Sequence, residues 1–532
     1  MRPPRWRVPL ALGLLTLVAA ALRLRGIRFG LPQLMTRPDE DTIASVAAHI
    51  IGSGPNPGFF RYPTLFLYVV ALLDKLRFGS AGADESSYYV LNRVTVALLG
   101  TATVPILYAA TRRLFSQVTA MCAAALLAVA FLHVRDSHFG VTDVPATFMI
   151  VCAFYLTVSR PLDLAHWGNI ALAALACGLA ASTKYNALIV VAPLAVAVAQ
   201  QNITGRRLDP RTMAPALCVI ALGVIAGFVI GTPYAILARR QFVQGFMLER
   251  AHLAAGHAVL EGSGWTRHLT FSLRYGLGAP FLIAALAGAV WLAVAEPRTA
   301  ALVLAFPVVY YAAFGSSRTV FVRYMTPMVP FAAVLAAFAA QRAAAALARL
   351  SPAAPVLPAA AAALTALLGY GSATRSLALD RLLEQPDSRA LAAEWVQSRF
   401  PRGATLHQTG SQYGQVQLTP QGLYQSWNFD PDAGAFALGM FAMRGAPQLV
   451  IVQSSPLAAY SEVPPSLGPV LARRYRLAQR FDVENRTSAA EAVFDQQDAF
   501  FVPLSGLERF TRPGPTIEIY QLQDASPTGS QP

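Results

Sequence analysis

Apolar runs approaching the width of a bilayer recur along most of this chain: 8–22, 94–111, 117–132, 144–158, 168–182, 185–200, 213–238, 276–295, 299–314, 325–340 and 353–372. A hydrocarbon core about 30 Å thick needs ~20 mostly apolar helical residues, so these runs predict an α-helical polytopic membrane protein of about eleven transmembrane helices. Composition agrees: 55% of the 532 residues are hydrophobic and 13% charged, against about 25% charged in soluble domains. A single soluble domain, a disordered chain and a collagen-like chain are excluded. The first run follows Arg2, Arg5 and Arg7, as a signal peptide would. Arg23 and Arg25 stand where a cleavage site would lie, so a retained helix is expected.

Arginines in short loops set the orientation. The N-terminal arginines, Arg112 and Arg113, Arg160, Arg206, Arg207 and Arg211, Arg298, Arg342 and Arg349 share one side if every run spans. The positive-inside rule makes that side cytoplasmic. A long first external loop, 23–93, then faces outward, as does everything after the last span. The expected domains are a transmembrane domain over 1–375, an extracytoplasmic α/β domain over 380–523 and a flexible tail over 524–532. Asp387 is positioned to cap a helix with Leu391, Trp395 and Val396 on its apolar face. Pro401 and Gly403 close that helix, and Ala404–Gln408, Gln448–Val452 and Thr516–Leu522 read as strands.

The formal net charge of +14 is carried almost entirely by arginine, since Lys75 and Lys184 are the two lysines. A basic polytopic protein tracks anionic headgroups, so membrane lipids are expected partners and nucleic acid is not. Cys122, Cys152, Cys177 and Cys218 lie inside apolar runs, without metal-site spacing, and read as small buried hydrophobes. His252 and His257 are five apart, not the i, i+4 pair of a helical metal site. A divalent metal is therefore weakly supported and no cofactor is assigned.

Charge near a span is costly and asks for a role. Thr36-Arg37-Pro38-Asp39-Glu40-Asp41 follows the first span. Proline ahead of the acids predicts a helix start there, where carboxylates either satisfy the helix dipole or face a cavity as a general base. Arg61 and Tyr62, in Phe59-Phe60-Arg61-Tyr62-Pro63, are an aromatic belt with a snorkelling arginine or a phosphate ligand. In His133-Val134-Arg135-Asp136-Ser137-His138-Phe139-Gly140-Val141-Thr142-Asp143, Thr142 or Asp143 caps the next helix, a role compatible with an active-site carboxylate. Lys184 separates two short apolar runs, as a broken span or a helical hairpin would. Arg323 and Tyr324 precede the tenth run, and Arg250 lies in the loop 239–275.

Together these motifs resemble the polytopic GT-C glycosyltransferases, in particular glycosyltransferase family 39, which holds protein O-mannosyltransferases and lipid A aminoarabinose transferases. Asp39-Glu40, Arg61-Tyr62-Pro63, His138 through Pro145, Thr183-Lys184-Tyr185, Arg323-Tyr324 and the stretch from Asp387 to Gly403 carry the resemblance. It implies a donor in which a sugar is joined through one phosphate to a polyprenol. It implies Asp39 as catalytic acid residue with Glu40 beside it, and Asp143 as a second acid near the reaction centre. Arg61, Arg250, Arg323 and Tyr324 correspond to donor-phosphate ligands, with Tyr62, His138 and Lys184 in supporting places. Arg61 stands where aminoarabinose transferases carry lysine, a change from point charge to planar fork.

The chemistry fits. A sugar hydroxyl needs a base to take its proton, and a departing phosphate needs fixed positive charge rather than an acid. No Rossmann glycine loop for a nucleotide sugar is visible in the sequence. The expected function is transfer of a sugar to an envelope lipid, glycan or protein acceptor, inverting, on the extracytoplasmic side of a bacterial-type plasma (inner) membrane. A transporter or flippase of lipid-linked saccharides, which would more often show paired inverted repeats, is the alternative. So is a non-catalytic envelope assembly protein.

Overall fold

Helix forms wherever the apolar runs fall. The computed structural model describes residues 7–79, 84–204, 207–208, 210–257, 259, 262–349, 356–400, 403–418, 423–438, 443–485 and 488–523. Pro401, Arg402, Arg206 and the expected tail 524–532 lie outside the described residues. By contacts the chain divides into two compact units, one of Met1–Ile27 with Thr42–Asp380 and one of Arg28–Asp41 with Arg381–Pro532.

The large unit is helical. Among the described residues five stretches are long and apolar enough to cross a membrane: Glu85–Leu114, Arg211–Gly231, Pro297–Gly315, Val322–Arg349 and Leu357–Arg399. A sixth counts if Gly264–Leu277 and Ala279–Ala295, bent by 117°, form one broken span. That is fewer than eleven. The other predicted runs form shorter apolar helices, Val8–Leu24, Gln117–Val129, Asp143–Ser159, Trp167–Thr183 and Tyr185–Gln201. Their lengths explain the difference: Gln117–Val129 has 13 residues, about 20 Å at 1.5 Å per residue. The segment expected as the long external loop 23–93 holds the helix predicted to start after Pro38, Glu40–Ser53, and in addition Leu65–Phe78 and the first turns of Glu85–Leu114.

One packing device escaped the sequence reading. Gly223, Gly227 and Gly231 recur every fourth residue on Pro210–Gly231 and face Trp167–Thr183. A Cβ on Gly227 would run into the Leu175 carbonyl oxygen, one on Gly178 into that of Val224, and one on Gly231 into the Ser182 side chain. Small residues let these backbones meet, the usual basis of helix contact where lipid supplies no hydrophobic drive.

The small unit is α/β. Its main sheet holds β1 (Thr405–Gln408), β2 (Gln425–Ser426), β3 (Leu449–Ser454), β4 (Tyr475–Phe481) and β5 (Thr516–Leu522), in spatial order β2-β1-β3-β5-β4. Strand β1 runs parallel to β2 and β3, whereas β5 is antiparallel to β3 and β4. Side-chain alternation splits β3 between two cores. Leu449 and Ile451 pack with Ala392, Val396, Ile517 and Ile519, while Val450 and Val452 pack with Phe436, Leu467, Val470 and Tyr475. The helix Ser388–Arg399 starts at Asp387, whose side chain accepts from the Arg389 N–H.

Candidate active site

The segment that carries Asp39 is held by the second half of the chain. Within the small unit, Gln33 Nε2 donates to the Gln417 carbonyl at 3.0 Å, and Gln417 N donates to Gln33 Oε1 at 2.7 Å. Leu34 N donates to Gln417 Oε1 at 2.6 Å. Arg37 is fully buried; its Nη1 donates to Asp498 Oδ1 at 2.5 Å, and its guanidinium lies 5.7 Å from the Phe500 ring centroid. Pro38 follows, and then Asp39, which has φ = 73°. No other non-glycine residue among those described has a positive φ. Aspartate tolerates this region better than most residues, yet it is held there only where the surroundings fix it. The helix Glu40–Ser53 then starts with Glu40 and Asp41 in its first turn, where carboxylates meet the positive end of the dipole. Asp39 itself stands just outside that turn. Glu40 is 2% exposed. Burial raises the Tyr413 phenol above its ordinary pKa, and the charges of Asp41 and Asp39 raise it further.

In the large unit the structure joins three other predicted residues. Asp143 begins the helix Asp143–Ser159; of the two expected caps, Thr142 or Asp143, Thr142 takes the cap position with an αR backbone and makes no capping bond. Lys184 ends Trp167–Thr183 in an extended conformation, φ −153° and ψ 131°, which turns the chain into the 3₁₀ segment Tyr185–Val190. Its Nζ donates to Asp143 Oδ1 at 2.6 Å and sits 5.3 Å from the centroid of the Tyr324 ring. Tyr324 lies in another 3₁₀ segment, Val322–Met328, and its carbonyl accepts from the Tyr310 hydroxyl at 2.9 Å. The Asn186 amide donates to that hydroxyl at 2.9 Å. Two residues on, Thr326 Oγ1 donates to Asp136 Oδ2 at 2.5 Å, and Arg135 pairs with Asp136 Oδ1 at 2.8 Å. Arg323 is 8% exposed, its guanidinium 4.1 Å from the Phe321 ring centroid.

Arg61 is half-exposed, its Nη2 3.4 Å from Glu249 Oε2. Glu249 precedes Arg250 on the helix Arg239–Ala255, and Arg250 is exposed. Phe60 ties this corner to Lys184, since its carbonyl accepts from the Tyr185 hydroxyl at 2.9 Å. Tyr185, Phe228, Phe242 and Phe246 form an aromatic wall there, with Phe60 against Phe242. Tyr62 packs on Phe59. His138 is elsewhere, fully buried and bonded to the carbonyls of Val134 and Arg25 at 2.9 Å. The His252 and His257 rings are 5.1 Å apart, and among the described residues no three His, Cys, Asp or Glu side chains cluster as a metal site would need.

Sequence reasoning quoted Arg37, Arg135 and Asp136 without assigning them roles, and passed over Tyr310, Asn186 and Asp498. Arginine and aspartate inside an apolar stretch were the available signal. Tyr310 and Asn186 gave none.

Residues 70–248 match the family model described as dolichyl-phosphate-mannose-protein mannosyltransferase. That segment contains Asp143 and Lys184; Asp39 and Arg61 precede it, and Arg250 follows it. No curated protein sequence matches the chain. Among solved structures, ArnT from Cupriavidus metallidurans in the apo state is 16% identical with a TM-score of 0.52, covering 96% of this chain and 97% of that one. The same protein bound to undecaprenyl phosphate gives 17% and 0.52, over 99% and 100%. The Archaeoglobus fulgidus oligosaccharyltransferase, tethered with an acceptor peptide, gives 14% and 0.50 over 76% of this chain and 62% of that one. The chain thus spans under two thirds of that oligosaccharyltransferase. A segment that matches the mannosyltransferase family model thus lies inside a fold similar along its whole length to that of ArnT.

Proposed function

We propose that the chain transfers a sugar from a polyprenyl-phosphate donor to an envelope lipid, glycan or protein acceptor. The reaction runs on the extracytoplasmic side of a bacterial-type plasma membrane crossed about eleven times, with 380–523 as an extracytoplasmic domain. The observation that carries this reading is the left-handed backbone of Asp39, the acid that the GT-C resemblance assigns to catalysis. Strain of this kind persists where neighbouring structure over-determines it, and it concentrates at functional sites. The undecaprenyl phosphate bound to ArnT supports the choice of donor.

In this mechanism Asp39 accepts the proton of the acceptor hydroxyl as that oxygen attacks the anomeric carbon, and Glu40 tunes its neighbour. The bond from the anomeric carbon to the phosphate oxygen breaks in the same step, so the configuration inverts. The departing phosphate takes the electron pair and stays anionic. Arg61, Arg250 and Arg323, with the Tyr324 hydroxyl, stabilise it. Asp143 holds Lys184 beside Tyr324. The aromatic wall of Tyr185, Phe228, Phe242 and Phe246 gives the prenyl tail an apolar surface.

The test is turnover of a radiolabelled polyprenyl-phosphoryl sugar by the purified protein in lipid nanodiscs. Release of free polyprenyl phosphate together with a product of inverted anomeric configuration is the expected result. A donor that stays intact with every acceptor class offered refutes the proposal.

A further inference from the structure

The main sheet of the small unit grows in two directions from β1. The chain leaves β1 to add β2 on one side, and later adds β3 on the other, both parallel to it. In open sheets, connections that diverge in this way leave a crevice beyond the carboxyl ends of the strands, the usual place for a ligand. Here the residues just past β1 and the loop after β3 line a cavity of about 450 Å³. Small-molecule sites run from about 300 to 1,000 Å³.

The lining is specific in its chemistry. His407 Nδ1 lies 2.9 Å from the Trp427 carbonyl oxygen. A carbonyl can only accept, so Nδ1 donates, and burial lowers the pKa of the ring below its ordinary value. Nε2 therefore keeps its lone pair as an acceptor. Ser411 Oγ is buried and has no hydrogen-bond partner among the described residues. A native buried hydroxyl without a partner calls for one. Glu462 stands exposed on the lining with no cation paired to it among the described residues, and Phe429 contributes an aromatic ring. The loop is shaped for this place: Gly410 has φ = 69°, and a Cβ there would run into Gln453 and the Tyr460 carbonyl. Among the described residues no arginine or lysine lines the cavity.

We propose that this crevice binds a saccharide unit bearing no anionic group. His407 Nε2 and the Glu462 carboxylate accept from sugar hydroxyls, Ser411 Oγ hydrogen-bonds to the sugar, and Phe429 takes the C–H face of the ring. The absence of arginine and lysine among the described lining residues argues against phosphate and carboxylate ligands, and the sugar-transfer reading proposed above favours a sugar over other uncharged polar molecules. The site does not depend on the donor chemistry proposed above.

The test uses the full-length protein in nanodiscs and saturation-transfer NMR. The probes are methyl glucoside, methyl galactoside and methyl N-acetylglucosaminide, with glucose 6-phosphate and glucuronate as anionic competitors. Saturation of at least one uncharged glycoside is expected, weakened about tenfold or more in Ser411→Ala and in Glu462→Gln. Gln479→Ala, on β4 at the far edge of the sheet, keeps wild-type binding. Thermal unfolding of each variant shows that it is folded. Three results overturn the proposal: no uncharged glycoside binds, the anionic sugars bind as well or better, or both folded variants bind as the wild type does. Donor turnover, measured on the same samples, reports on the transferase reaction separately.

Discussion

Replacing Arg37 with methionine tests whether the Asp39 segment is held by the ion pair described here. Arg37 Nη1 and Asp498 Oδ1 are 2.5 Å apart, and the side chains are 0% and 1% exposed. Methionine fills much of the volume but leaves the Asp498 carboxylate buried without its cation. Breaking a buried pair in this way costs about 3–5 kcal/mol. At 1.4 kcal/mol per decade, local opening of the 28–41 segment becomes about two to three and a half powers of ten more frequent. Hydrogen exchange read by mass spectrometry measures it, best at Leu34, whose N–H is bonded to Gln417 Oε1. Arg37→Met should speed exchange there by about a hundredfold or more, and Asp498→Leu added to it should restore most of the protection, because no charge is then stranded. Wild-type exchange in Arg37→Met would refute the reasoning, as would a double variant opening more than the single one.

Other consequences follow from single contacts. Lys184→Met strands Asp143 5% exposed and should lower the unfolding free energy by about 3 kcal/mol in chemical denaturation, with much of it regained in Lys184→Met/Asp143→Leu. Burial pushes the Asp74 carboxyl up to about 6, and its Oδ1 has no hydrogen-bond partner among the described residues. The folded state then holds this proton more tightly than the unfolded chain, so the contribution to stability is greatest near pH 4 and is lost as pH rises through 6. Asp74→Asn should accordingly raise the melting temperature at pH 7.5 and leave it unchanged at pH 4. For topology, single cysteines at Glu85, Gly262 and Ser454, with the four native cysteines replaced, should react with an impermeant thiol reagent in intact cells. One at Gly205, outside the described residues, should react only after lysis.

What the sequence made legible was local. Thr516–Leu522 reads as a strand because its alternation is short-range, and the structure starts and ends β5 on those residues. Asp387 is a cap by its own position. The apolar runs locate helices for the same reason, although a composition window cannot see that Gln117–Val129 stops after 13 residues. The pairings made by the candidate residues and their neighbours were not legible. Asp143 and Lys184 are 41 residues apart, and Arg37 and Asp498 are 461 apart. Only the fold brings such pairs together. His138 shows the converse: one charged-looking motif mixes Asp143, beside Lys184, with a histidine that bonds two backbone carbonyls. Thr142 and Asp39 mark a third limit, because backbone angles at a helix start depend on what packs around it.

The central claim is that Asp39 takes the proton from the acceptor hydroxyl. It is tested most directly by single-turnover kinetics of Asp39→Asn at saturating donor, with donor affinity measured alongside. Asparagine keeps the size and tolerates the left-handed backbone but cannot act as the base. The transfer rate should fall about 10²–10⁴-fold while donor affinity stays near that of the wild type. Transfer by the folded Asn variant at the wild-type rate would contradict it.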